Sequence, residues 1–169
     1  RDGIGSLINS EEGVLFVEML NFNNDSRISL NDGTTSNNVR FTYTSSSNVI
    51  LGILFNGSNQ SVLSYALPTR NTFNKIAFKY KTNDFALWIN GVEVQSQTGS
   101  GTTFSSGTLS SLDLDAGNTS IAFKGQLKQL QVYDTSLTDN QLIQLTGEAG
   151  THFFESYAEM AEALTYTIQ

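Results

Sequence analysis

The chain has 169 residues, no cysteine, a single histidine and a formal charge of −7. That length suits one domain with a proper core. The missing cysteines exclude disulfides, thiolate zinc sites and cysteine nucleophiles, and an acidic balance with no local basic cluster excludes duplex nucleic acid and anionic membrane surfaces as partners. Charged residues make up only 15% of the chain, so its polar surface is mostly hydroxyl and amide rather than a disordered acidic tail.

The opening "RDGIGSLINSEEGV" is not a signal peptide and reads as a chain already in progress. An excised or processed C-terminal domain of a longer protein is expected. No apolar run approaches membrane length, so no membrane insertion is expected.

Short alternating segments then follow one another: Val14–Phe22, Arg27–Leu30, Val39–Thr44, Val49–Phe55, Ser61–Leu67, Phe73–Tyr80, Phe85–Ile89, Val92–Gln97, Thr108–Leu112, Ser120–Phe123 and Gln126–Tyr133. Turn signals such as "NDGTTSNN", "TSSSN", "FNGSNQ", "KTND" and "TGSGT" lie between them. Many short strands at this spacing predict an all-β antiparallel sandwich. Two short helices are predicted near the C-terminus. "SLTDNQLIQL" offers Thr138 as N-cap, Gln141 three residues on, and apolar Leu137, Leu142 and Leu145. "FFESYAEMAEAL" places Phe154, Tyr157, Ala158 and Ala161 at helical spacing. Gly147 and Gly150 separate the two, dividing the chain into a sandwich over 1–146 and an appendage over 147–169. The appendage either packs on the sandwich or contacts a neighbouring chain, which would make it the route to a homo-oligomer.

"NKIAFKYKTNDFALWINGVEV" is a hairpin signal. One face carries Ile76, Phe78, Tyr80, Phe85, Leu87 and Ile89, an apolar layer that belongs to the core. The other carries Lys75, Ala77, Lys79, Lys81, Asp84, Ala86, Trp88 and Asn90. Either Ala77 or Lys79 faces Trp88, depending on the register. An indole among small and polar neighbours suits the apolar side of a sugar ring; alternatively it is covered by a loop or by the terminal helix. In the first reading Trp88 is the stacking platform. Lys79, Asn90 and Glu18 are its polar partners, joined by Arg40 and Gln129 from neighbouring strands. Glu18 is singled out because a carboxylate isolated in an apolar strand needs a partner or a ligand.

Signals for catalysis are few. No strand shows the alternating carboxylates that glycoside hydrolysis needs. His152 comes without a nucleophile elbow, so a serine triad is not expected. "GSGTTFSSG" reads as a flexible loop without lysine. The chain is therefore read as a non-enzyme. Asp113, Asp115 and Asn118 offer oxygen ligands in a short segment, a candidate structural Ca²⁺ site weighed against a solvated acidic turn. Asn24, Asn56, Asn59 and Asn118 stand in N-x-Ser/Thr sequons, which an Asn/Ser-rich chain produces by chance.

"FNKIAFKYKTNDFALWINGVEV" followed by "FKGQLKQLQVYDTSLTDNQLIQLT" resembles the laminin-G-like or pentraxin-like branch of the concanavalin A-like lectin/glucanase superfamily. Phe73 stands near that family's tryptophan, Trp88 replaces its tyrosine, and Asn90-Gly91 keeps its turn. Gly125, Tyr133 and Leu137 match its last strand and the start of its helix. The resemblance runs from about Gly13 to Thr146 and implies a jelly-roll sandwich. The family hosts lectins, adhesion modules and hydrolases alike. "EGVLFVEM", "RISLNDGTTSNNVRFTY" and the ending "ESYAEMAEALTYTIQ" further resemble C-terminal domains of tail- or fibre-associated proteins of tailed bacteriophages. That likeness implies an exposed module that recognises a host glycan, on a virion surface or extracellular. The expectation is a carbohydrate-binding module with a glycan or polysaccharide partner. Its alternatives are a structural or adhesion domain that assembles with protein and, less favoured, a polysaccharide hydrolase.

Overall fold

The structure is a computed structural model that describes residues 5–21, 25–69, 72–117 and 121–148. The expectations for Asn24, Asn118, His152 and the second helix, with most of the 147–169 appendage, lie outside those residues. Among the described residues ten strands form in chain order: β1 (Glu12–Asn21), β2 (Ser26–Asn31), β3 (Asn37–Thr44), β4 (Val49–Asn56), β5 (Asn59–Ala66), β6 (Asn74–Lys81), β7 (Asp84–Ile89), β8 (Val92–Thr98), β9 (Ser111–Asp113) and β10 (Gly125–Tyr133). One helix follows, α1 (Asp139–Thr146). The strands make two five-stranded antiparallel sheets. Sheet A has the order β10-β1-β6-β7-β8 and sheet B the order β5-β4-β3-β2-β9.

The alternation sets which side chains meet between the sheets. Sheet A sends in Leu15, Val17, Ile76, Phe78, Tyr80, Phe85 and Leu87; sheet B answers with Ile28, Leu30, Val39, Phe41, Ile50 and Leu54. Each such burial is worth about 1.5–3 kcal/mol. The inward face expected for the hairpin is thus the core face. Close contact of the layers needs a notch at Gly52, where an added Cβ would stand 2.7 Å from Cδ2 of Phe78. The edges β5 and β8 close against each other through side chains: Nε2 of Gln97 donates to the Gln60 carbonyl at 2.9 Å, and the Ser64 amide donates to Oε1 of Gln95. Two edge backbone groups, the Gln60 carbonyl and the Ser64 amide, are thereby satisfied without a further strand.

Three local expectations change. Ser120–Phe123 is not a strand over its described residues, because Ile121 takes φ 54° and leaves the extended region. Asp113 is the end of β9 rather than a turn residue. "GSGTTFSSG" is anchored rather than free: Phe104 is buried in the core, and Thr102 and Thr103 bond to Gln60 and Thr82. The α1 start is as read, with a capping box in which the Thr138 hydroxyl accepts from the Gln141 amide and the Gln141 side chain accepts from the Thr138 amide. No helix among the described residues is long and apolar enough to cross a membrane.

Candidate functional site

The hairpin closes with Lys81 opposite Asp84, which sets Ala77 opposite Trp88 and Lys79 opposite Ala86. Asn83 supplies the left-handed residue of the turn at φ 62°. The outward face of sheet A is therefore small in its middle, and α1 fills that hollow. Trp88 packs with Val14, Phe16, Ala77, Ala86 and Leu142, backed by Leu137, Ile143 and Leu145. Only 5% of Trp88 is exposed. The seat is pinned at the helix end: the Gly91 amide donates to the Thr146 hydroxyl at 3.0 Å, and Lys75 Nζ donates to the Gly147 carbonyl at 2.7 Å. The Trp88 stacking platform is thus corrected. Ala77 and Ala86 make room for a helix rather than for a sugar ring, because an amphipathic helix must bury its apolar stripe somewhere.

The proposed polar partners of Trp88 are also engaged. Lys79 is buried and pairs with Asp84 at 2.8 Å. Asn90 sits at φ 50° and holds the β7–β8 turn: its Oδ1 accepts from the Lys75 amide, and its Nδ2 donates to Oδ1 of Asn74. Glu18 finds the partner its isolation demanded, Lys128 Nζ at 3.1 Å, and Lys128 also lies 4.0 Å above the Phe73 ring. Glu18 and Gln129 are direct cross-strand neighbours, whereas Arg40 lies on the other sheet. Asp113 accepts from Asn31 Nδ2 at 2.9 Å, and the Asp115 carboxylate accepts from the Gly117 amide at 2.5 Å. Among the described residues no three His, Cys, Asp or Glu side chains gather to hold a metal ion.

The outward face of sheet B differs. Its register sets Arg27 opposite Thr42, Thr42 opposite Leu51, and Leu51 opposite Ser64. The next row runs from Asp113 through Ser29, Arg40 and Ile53 to Val62. One part of this face is cationic and the adjoining part is apolar, with Leu51 and Phe55 half-buried and Val62 40% exposed. The helix does not cover it, since α1 meets β6 and β7.

Arg40 is held on the sheet by Nη1 donating to Asn38 Oδ1 and by its guanidinium lying 5.9 Å from the Phe55 centroid. Burial first, then the charge of Arg27, pushes its pKa down to about 10. Among the described residues neither arginine makes an ion pair. The nearby Asp25 carboxylate is held instead by the amide and hydroxyl of Ser45, feeling Arg27 only as a more distant charge. Three polar atoms here also lack hydrogen-bond partners: Nε of Arg27, Nε of Arg40 and Oγ1 of Thr42. All three atoms are buried, and leaving one such group unpaired costs about 1–3 kcal/mol. Sequence reasoning reached Arg40 but missed Arg27 and Thr42. The alternation of "RISL" against "VRFTY" could have placed all three on one face, had the strand pairing been known.

A second recess, of about 600 Å³, opens beside the β6–β7 turn between Asn9, Glu12, Lys81, Thr103 and Phe104. Glu12 in it pairs with Lys81 at 3.0 Å, Glu11 also lines it, and its one ring, Phe104, belongs to the core.

Two antiparallel five-stranded sheets closed face to face, with one short helix on the outer side, define a jelly-roll sandwich. The profile of the laminin G-like family of the concanavalin A-like lectin/glucanases superfamily matches residues 14–143, and the chain belongs to that family. A search of curated proteins returns no match. Among solved structures, the CBM40 of the Ruminococcus gnavus IT-sialidase is similar at 19% identity and TM-score 0.69, over 86% of each chain. The NanB sialidase of Streptococcus pneumoniae is similar at 16% identity and TM-score 0.65. That match covers 93% of this chain but only 28% of NanB. Domain 4 of AbnA, a Geobacillus stearothermophilus extracellular arabinanase solved with arabinotriose, follows at 18% identity and TM-score 0.50, over 84% of this chain and 69% of that one. At these identities the likeness is one of fold.

Proposed function

We propose that this domain is a non-catalytic carbohydrate-binding module that holds its glycan on the outward face of sheet B. The observation that carries the reading is the placement on that face of the Arg27 and Arg40 side chains beside half-buried Phe55 and the 40% exposed Val62. Sugar recognition calls for both, since a pyranose presents CH groups on one side and hydroxyls around its rim. The similar solved structures support a glycan ligand, as one is a carbohydrate-binding module and another holds arabinotriose. The sequence resemblance to phage tail and fibre domains adds a host-recognition role, with the module displayed on a virion or outside the cell.

A glycan array with the whole chain tests the reading, repeated with Val62→Lys, which sets a bulky charge on the exposed apolar part. Binding that Val62→Lys abolishes while the protein stays folded supports the face. Binding unaffected by Val62→Lys moves the site elsewhere. Reducing sugar released from a bound polysaccharide would make the protein a hydrolase. No glycan binding together with self-association that deletion of residues 151–169 abolishes would make it an assembly domain.

A further inference from the structure

The recess beside the β6–β7 turn is walled by four separate stretches of chain: the entry to β1, the end of β4 at Asn56, the turn at Lys81 and Thr82, and the loop from Thr103 to Ser105. Hydrogen bonds tie those walls to one another. Asn56 Nδ2 donates to the Thr103 carbonyl at 2.9 Å, the Thr103 amide donates to the Thr82 hydroxyl at 3.2 Å, and the Phe104 amide donates to the Ser10 carbonyl at 3.4 Å. Phe104 is buried in the core and fixes the loop from beneath. The volume of about 600 Å³ falls within the roughly 300–1,000 Å³ of small-molecule sites. A recess already held in shape has little freedom left to lose when a ligand arrives.

Its open groups are of mixed kind. Lys81 Nζ is paired with Glu12 and has three N–H groups, so donors remain. The Thr82 and Thr103 hydroxyls stand 2.9 Å apart, and each can donate or accept. The exposed Ser105 lies beside Thr103 in the same wall. Glu11 is exposed as well: its amide donates to Asn9 Oδ1, while its carboxylate makes no ion pair among the described residues. Donors and acceptors side by side match sugar hydroxyls, which do both, and one carboxylate can accept from two adjacent hydroxyls. Two carboxylates against one lysine leave the recess negative, which disfavours an anionic sugar.

We propose that this recess is a second carbohydrate site, separate from the outward face of sheet B, that takes a neutral sugar at the end of the sandwich. Two adjacent hydroxyls of the sugar donate to the Glu11 carboxylate, and Lys81, Thr82 and Ser105 bond the hydroxyls on its other side. The inference rests on the carbohydrate-binding reading and adds a site to it.

Amide NMR on the whole chain tests it, with titrations of maltotriose, an N-acetylglucosamine trimer, a glucosamine trimer and a galacturonate trimer. At least one neutral trimer should shift the amides of Glu11, Thr82, Thr103 and Ser105, and the galacturonate trimer should leave them in place. Glu11→Gln should weaken that binding about tenfold, the size of a lost hydrogen bond to a charged group. Ser105→Trp, which fills the recess, should abolish it, and Val62→Lys on sheet B should not change it. Both recess residues are exposed, and a thermal melt of each variant verifies the fold. A glucosamine trimer held more tightly than its N-acetylated form, with the advantage lost in salt, overturns the neutral class, as does galacturonate bound as tightly as a neutral trimer. Shifts confined to sheet B amides, or recess shifts that neither Glu11→Gln nor Ser105→Trp weakens, overturn the inference while leaving a glycan module standing. No shift from any trimer, with no array glycan lost on Ser105→Trp, overturns it too; an array blank for every glycan takes the functional reading with it.

Discussion

The outward face of sheet A is sealed by α1 over Trp88, whereas among the described residues the outward face of sheet B has no helix over it and carries two arginines that make no ion pair. Both faces come from the same alternation of in and out residues. They differ in what the outward set can do with water. Trp88, Val14 and Phe16 form an apolar patch that must be covered, and Ala77 and Ala86 leave a hollow one helix deep. Arg27, Arg40 and Thr42 instead set polar groups on that face, some of them buried without a hydrogen-bond partner. The lesson is that the largest aromatic marks where the protein closes itself, whereas unsatisfied polar atoms do not tell the two faces apart, since Nε1 of Trp88 in the closed seam is one as well.

The contrast breaks first at its closed side. Trp88→Ala should lower stability by about 3–5 kcal/mol in urea unfolding, while the fraction still folded binds glycan as before. Binding lost in step with a folded Trp88→Ala protein would restore the tryptophan as a contact. Leu142→Ala, on the helix side of the same seam, should cost about 2–5 kcal/mol, depending on how far α1 settles into the space. Gly52→Ala tests the core beneath both faces. Its Cβ meets the Phe78 ring, and the loss should be about 1–3 kcal/mol.

Arg40→Gln sharpens the open side. Its stability should fall by only about 1 kcal/mol, for the lost Asn38 bond and Phe55 contact, while glycan affinity falls, the reverse of the Trp88→Ala pattern. The smallest effect concerns pH at the loop beside β2. Burial alone would raise the Asp32 carboxyl, but bonds from Thr34 and Asn37 outweigh it and hold its pKa below the usual 3.8. A depressed carboxylate stabilises fully above its unfolded pKa and loses that contribution as pH falls through the folded value. Amide exchange in residues 33–37 should therefore quicken in acid, and Asp32→Asn should flatten that response.

Much of the architecture was legible from alternation alone. The hairpin of β6 and β7, its inward face and the capping box of α1 depend on neighbours close in sequence, where side-chain period and turn chemistry suffice. Ser120–Phe123 misled because its apolar residues alternate like a strand, while the left-handed backbone at Ile121 breaks it. The site was legible only in part. Arg40 was reached only as a polar side chain on a neighbouring strand, and its neighbours Arg27, Thr42 and Ile53 lie at positions whose pairing no local pattern states.

The sequence by itself determined an antiparallel sandwich and the residues of its core, because the two-residue period of a strand sorts side chains to faces without reference to distant segments. Only the tertiary structure decided which outward face would close. The docking of α1 depends on a hollow assembled from β1, β6 and β7, and the arginine patch on the register of β2 against β3. Both are contacts between residues far apart in the chain.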